Sequence, residues 1–198
     1  MPNYCTYDMK IKGEKNAVKE LHQILQYKHP TLQMYRIFDA YMCNEEITDD
    51  GQYIMYITGD VAWSIISTML VNVPELYENN DEKLSDYQKN IIDINTPKDK
   101  TTTDLVTETK RLDLETEVFS SEPGIGFQEH FVIKNGKILV NECENYEEFE
   151  YDSNDYEGET EDEKFKNFIK ENDLPKDVRC RDTIYFYGGI KDYGKWTI

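Results

Sequence analysis

Polar and apolar residues alternate from Tyr4 to Lys12. Cys5, Tyr7, Met9 and Ile11 fall on one side and Thr6, Asp8, Lys10 and Lys12 on the other, the period-two pattern of a strand with one buried face. Gly13 closes the run. Between 14 and 27 the period changes: Val18, Leu21, Ile24 and Leu25 form one helical stripe, and His29-Pro30 ends it because a proline ring disfavours helix in the residue before it. Two β-rich runs, Ile37–Cys43 and Gln52–Thr58, flank the polar Asn44-Glu45-Glu46 and Asp49-Asp50-Gly51, a hairpin pattern with Asp-Gly at its turn. Asp60 is placed to cap a second helix over Val61–Leu70, where Val61, Ile65, Ile66 and Met69 fall at helical spacing before Val73-Pro74 stops the run.

Residues 75–100 are polar and weakly patterned and read as an insertion. Thr101-Thr102-Thr103-Asp104 offers cap residues for a helix reaching about Arg111, and Leu112, Leu114, Thr116 and Val118 alternate with acidic neighbours as a fourth strand. The expected class is α+β: a ferredoxin-like βαββαβ core over 1–120 with an interrupted second helical arm. Asn135-Gly136, between Phe127–Lys134 and Lys137–Asn145, predicts a hairpin that extends the sheet over 121–146. Residues 147–198 are expected to add an acidic loop, a terminal helix at 161–171 with Phe165, Phe168 and Ile169 on its apolar side, and a short strand at Thr183–Tyr187. The whole chain, 1–198, reads as one domain.

Fifteen Tyr and 8 Phe in 198 residues supply enough large side chains for a core without a metal or disulfide staple. Cys5, Cys43, Cys143 and Cys180 are scattered and form no C-x-x-C pair, so neither a zinc site nor a disulfide framework is expected. No run approaches the roughly 18 apolar residues of a membrane span, and Met1-Pro2-Asn3-Tyr4-Cys5 lacks a secretion pattern, which predicts a cytoplasmic protein. Charge narrows the partners: 40 acidic against 22 basic residues give a net −18. Such a field opposes direct contact with nucleic acid or anionic membrane and favours a basic protein or a metal cation.

Met1-Pro2-Asn3-Tyr4-Cys5 opening the first strand, Trp63 after the third, and Glu122-Pro123-Gly124-Ile125-Gly126-Phe127 leaving the fourth are a further pattern. With the strand order, they resemble the YubB ferredoxin-like family of plasmid- and phage-borne proteins over about residues 1–140. The resemblance implies a ferredoxin-like fold and a mobile-element origin in a bacterial host, and it brings no catalytic residues. The same positions have structural readings: an aromatic beside Cys5 fills core, Trp63 anchors a helix start, and Pro-Gly makes a turn.

Candidate chemistry is sparse. His22, His29 and His130 lie in neither H-E-x-x-H nor a nucleophile motif, and Gly124-x-Gly126 is too short for a dinucleotide fingerprint. Glu122, Glu129 and His130 are the constellation a small hydrolase would use. No catalytic residue, metal or cofactor is assigned. Residues 142–163 hold twelve Asp or Glu and no Lys or Arg. One reading is a solvated loop. The other is an acidic surface that mimics nucleic acid, with Glu144, Tyr146, Glu147, Glu148, Phe149, Glu150, Tyr151, Asp152, Asp155, Tyr156 and Glu157 meeting a basic partner and the aromatics as apolar anchors. Asp152, Asn154 and Glu163 fit three positions of a calcium loop, but Tyr156 and Gly158 break its pattern. The function expected is inhibition of a basic, nucleic-acid-binding host defence protein such as a CRISPR nuclease. The alternatives are the hydrolase and a homo-oligomeric assembly protein.

Overall fold

The alternation at the start of the chain becomes β1 (Tyr4–Gly13), in which Cys5, Tyr7, Met9 and Ile11 are fully or almost fully buried. The computed structural model describes residues 3–73, 100–149, 151–172, 174, 178–181 and 184–198. The insertion expected at 75–100 lies outside them apart from Lys100. α1 (Lys15–Leu25) starts where Glu14 accepts hydrogen bonds from the amides of Asn16 and Ala17, and it buries the stripe Val18, Leu21, Ile24 and Leu25. β2 (Leu32–Gln33) pairs in parallel with β5 (Thr101–Thr102). The hairpin is β3 (Tyr41–Ile47) and β4 (Tyr53–Ala62).

Two elements depart from the sequence reading. The expected strand Ile37–Cys43 begins at Tyr41 instead, because Ile37 and Phe38 cross the end of β4, where the Phe38 amide donates to the Asp60 carbonyl. The polar Asn44-Glu45-Glu46 lies inside β3, an edge strand exposed along its whole length. There Glu45 and Glu46 accept hydrogen bonds from the hydroxyls of Tyr53 and Tyr56. The expected helix over Val61–Leu70 shrinks to α2 (Ile65–Thr68), capped by Ser64 rather than Asp60. Val61 and Ala62 pair with Cys5 and Tyr4, so contacts with β1 override the local helical period. Asp60 accepts from the Thr6 hydroxyl across the same ladder.

α3 (Leu105–Leu112) is capped by Asp104, as the sequence predicts. β6 (Glu115–Glu122), β7 (Phe127–Lys134) and β8 (Lys137–Phe149) follow, then a 3-10 turn at Ser153–Asp155, α4 (Glu161–Glu171), β9 (Arg179–Arg181) and β10 (Ile184–Gly188). The chain is thus mixed α+β. Among the described residues an eight-stranded sheet runs β3-β4-β1-β6-β7-β8-β10-β9, and every neighbouring pair is antiparallel. α1, α2 and α3 cover one face and enclose the main core, from Cys5 and Met9 to Leu105 and Phe131. Part of the opposite face lies under residues 189–198, where Trp196 meets Phe119 and Tyr56 edge-on. Among the described residues no helix is long and apolar enough to cross a membrane.

Candidate interaction site

The acidic tract starts on β8. Tyr146 is buried, and its amide donates to the Gly126 carbonyl at 2.7 Å, which ties β8 to the turn between β6 and β7. Gly126 has φ +77, and a Cβ there would lie 2.5 Å from the Tyr146 carbonyl oxygen, so this approach requires glycine. Beyond the turn β8 outruns β7 and pairs with β10 from Tyr146 to Phe149. Glu142, Glu144, Glu147 and Glu148 are all exposed. Strand geometry puts Glu142, Glu144 and Glu148 on one face, with nearest same-face positions about 6.8 Å apart, and Glu147 on the other.

The aromatic residues of the tract turn inward. Phe168 of α4 is buried against Phe149, Tyr151, Tyr156 and Phe165, with ring centroids 5.1–6.0 Å apart. Phe149, Tyr151 and Tyr156, expected as anchors for a partner, are half-buried, and their rings build a satellite core that holds α4 against the end of β8. Polar contacts order the rest. Asp152 accepts from the amide and side-chain NH2 of Asn154, Thr160 and Glu163 form a reciprocal capping box, and Asn167 donates to the Glu157 carbonyl at 2.7 Å. Asp152 and Glu163, considered as calcium ligands, thus serve as caps. Asp152, Asp155, Glu157, Glu159, Glu161, Asp162 and Glu163 remain exposed on this frame, while Glu150 lies outside the described residues.

The hydrolase constellation does not assemble. Glu129 and His130 are consecutive on β7, so their side chains leave opposite faces of the sheet. Glu129 is buried and accepts from the Ile65 amide at 2.8 Å and the Ser120 hydroxyl at 2.6 Å, and burial holds its carboxyl above the ordinary range. His130 stacks on Phe119 across the sheet and bridges Glu117 at 2.9 Å and Glu142 at 3.2 Å. Glu122 accepts from the Ile125 amide, closing its own turn. Glu117, fully buried, also receives the amides of Thr197 and Ile198, so it secures the terminal segment. Burial pushes the Cys5 thiol up to about 12, which makes it a poor nucleophile.

Tyr4, read from sequence as core filling, and Trp63, read as the anchor of a helix start, lie at the surface. Tyr4 is 61% exposed and its ring lies tilted against that of exposed Phe38, with ring centroids 4.9 Å apart. Trp63, 36% exposed, carries the Arg36 guanidinium 4.5 Å from its ring centre. Arg36 and Trp63 have φ of +48 and +71, in the left-handed region that bulky residues rarely enter. The alternation of β1 already puts Tyr4 on the outer side with Thr6 and Asp8, but no local pattern brings Phe38 and Trp63 beside it. No family model, curated protein or solved structure matches the chain.

Proposed function

We propose that this chain is a non-enzymatic docking protein whose acidic arm occupies the cationic channel of a nucleic-acid-binding protein. One observation carries the reading: twelve carboxylates in residues 142–163 include a run of exposed ones held on β8, the 3-10 turn and α4 by an aromatic satellite core. A loop needed only for solubility has no use for that frame. An ordered anionic array opposes a basic surface without first losing conformational entropy, so charge attraction speeds encounter and order lengthens residence. The sequence motifs extend the proposal to a phage or mobile-element protein directed against a host defence effector such as a CRISPR nuclease, acting in the bacterial cytoplasm. The proposed core type is ferredoxin-like. Its support is the order β3-β4-β1-β6 together with α1 between β1 and β3 and α2 and α3 between β4 and β6.

The test is a pull-down from nuclease-treated bacterial lysate with wild type and with Glu147→Gln, Glu148→Gln, Asp152→Asn, Asp155→Asn. Wild type should capture a basic nucleic-acid-binding protein that added duplex DNA displaces, and the neutralised variant should not. Equal capture by both, or DNA and chain held together by the captured protein, refutes the reading. A second reading, homo-oligomeric assembly, draws on β3, whose outer edge exposes Tyr41, Met42 and Ile47. Light scattering separates the two: a monomer over a wide concentration range removes the assembly reading.

A further inference from the structure

We infer that the apolar anchor of this interface is the rim of the sheet formed by Tyr4, Arg36, Phe38 and Trp63, and that the partner bears an apolar pocket beside its cationic channel. The inference rests on the docking function proposed above and adds the second half of the contact surface. Because the rings of the acidic arm pack on one another and are at least half-buried, the arm presents mainly charge. Binding energy at protein interfaces concentrates in a few Trp, Tyr and Arg side chains, with charge contributing more to encounter and selectivity. The rim offers those residue types. Tyr4 and Phe38 meet tilted with ring centroids 4.9 Å apart, the Arg36 guanidinium lies 4.5 Å over Trp63, and all three rings remain exposed.

The rim is also preorganised. The Ala62 amide donates to the Arg36 carbonyl at 3.1 Å, the Trp63 amide to Asn3 at 2.9 Å and the Phe38 amide to Asp60 at 2.8 Å. These bonds hold Arg36 and Trp63 in their left-handed backbone conformations. Register places the rim beside the arm. Tyr4 pairs with Ala62 at the end of β1, and the same end of the sheet carries the 123–126 turn and Tyr146, where the arm departs. From β4 to β8 is four strand spacings, about 19 Å. A standard interface covers about 800 Å² per partner, wide enough for both features at once. A basic partner therefore meets the carboxylates with its channel while a neighbouring apolar pocket receives the rim.

The test uses two synthetic probes, octalysine and octalysine joined through eight Gly/Ser residues to Trp-Leu-Phe; about six extended residues already span 19 Å. Calorimetry gives each affinity, and the indole N–H resonance of Trp63 in labelled protein reports contact. The tailed peptide should bind wild type about tenfold more tightly, the gain from partial burial of one large apolar side chain, and should move the Trp63 resonance where octalysine does not. Trp63→Ala with Phe38→Ala should remove that gain and leave octalysine affinity unchanged. Phe38→Ser alone, at an exposed loop position, repeats the comparison if the double variant folds poorly. Equal affinity of the two peptides, or a gain that survives the substitutions, overturns the rim anchor and leaves the docking function standing. Failure of octalysine to bind wild type overturns both.

Discussion

Replacing Phe168 with Ala separates an ordered acidic array from a mere excess of charge, because the net charge of −18 is untouched. Phe168 is the buried residue of α4 and touches four other rings. Truncating a buried Phe costs about 3–5 kcal/mol. An isolated helix as short as α4, Glu161–Glu171, is marginal in water even with its capping box. The loss thus exceeds what α4 can recover alone, and the arm should open while the main core of β1, β4, β6 and α1 stays folded. Hydrogen exchange by mass spectrometry should show protection over 161–171 falling by at least about a hundredfold, since each 1.4 kcal/mol is a factor of ten, with β1 and β4 unchanged. Partner association should keep its rate and salt dependence while dissociation accelerates. Unaltered exchange in α4 would show that the aromatic cluster does not hold the arm. Normal dissociation from an opened arm would show that order is irrelevant to docking.

Glu117→Ala removes the acceptor for His130 and for the Thr197 and Ile198 amides, so the terminal segment should detach. We expect about 3 kcal/mol lost in urea unfolding and a red-shifted Trp196 emission; unchanged emission would refute the clamp. Among Cys5, Cys43 and Cys143, exposed Cys43 should react first with iodoacetamide at pH 8, because burial pushes the Cys5 thiol to about 12 and burial, then Glu129 and Glu144, raises that of Cys143. Peptide mapping that finds Cys5 labelled as fast as Cys43 would refute this order. Burial raises the Glu129 carboxyl despite hydrogen bonds from Ser120 and Ile65 that oppose the shift. Its stabilising contribution is complete below the ordinary Glu range near 4.3 and is lost as pH rises through the folded value. Stability relative to Glu129→Gln should therefore fall as pH rises above the ordinary Glu range, and a constant or rising difference would contradict the assignment.

Local signals carried much of the fold. The alternation of β1, the Asn-Gly turn between β7 and β8, the Asp104 cap and the stripe of α4 each need only neighbours in sequence, and each stands where the pattern predicts. The errors lie where a distant partner decides. Val61 and Ala62 look helical until β1 pairs with them, and Asn44-Glu45-Glu46 of β3 look like a connector because an edge strand with two solvated faces need not alternate. Residues 189–198 carry no period, so only the structure shows them lying over Phe119 and held by Glu117. The separation of Glu129 from His130, by contrast, follows from the period of a strand and was legible in the sequence once β7 was recognised.

Charge and aromatic content were legible in the acidic tract, but their division of labour was not. An aromatic among carboxylates can face a partner or its own chain, and composition is the same in both cases. The apolar side of α4 held the missing clue. Phe165 and Phe168 need a surface to cover them, and the aromatic residues that precede α4, Phe149, Tyr151 and Tyr156, belong to the tract itself. Self-repulsion among the carboxylates opposes this compact arrangement, whereas the rings favour it, so the arm should be less stable than the main core. A cationic partner relieves the repulsion and leaves the ring contacts intact, which makes binding and ordering of the arm reinforce each other. The rim at Tyr4 and Trp63 stands on the main sheet and gains nothing from that relief. Salt should therefore weaken the arm's contribution to binding and spare the rim's.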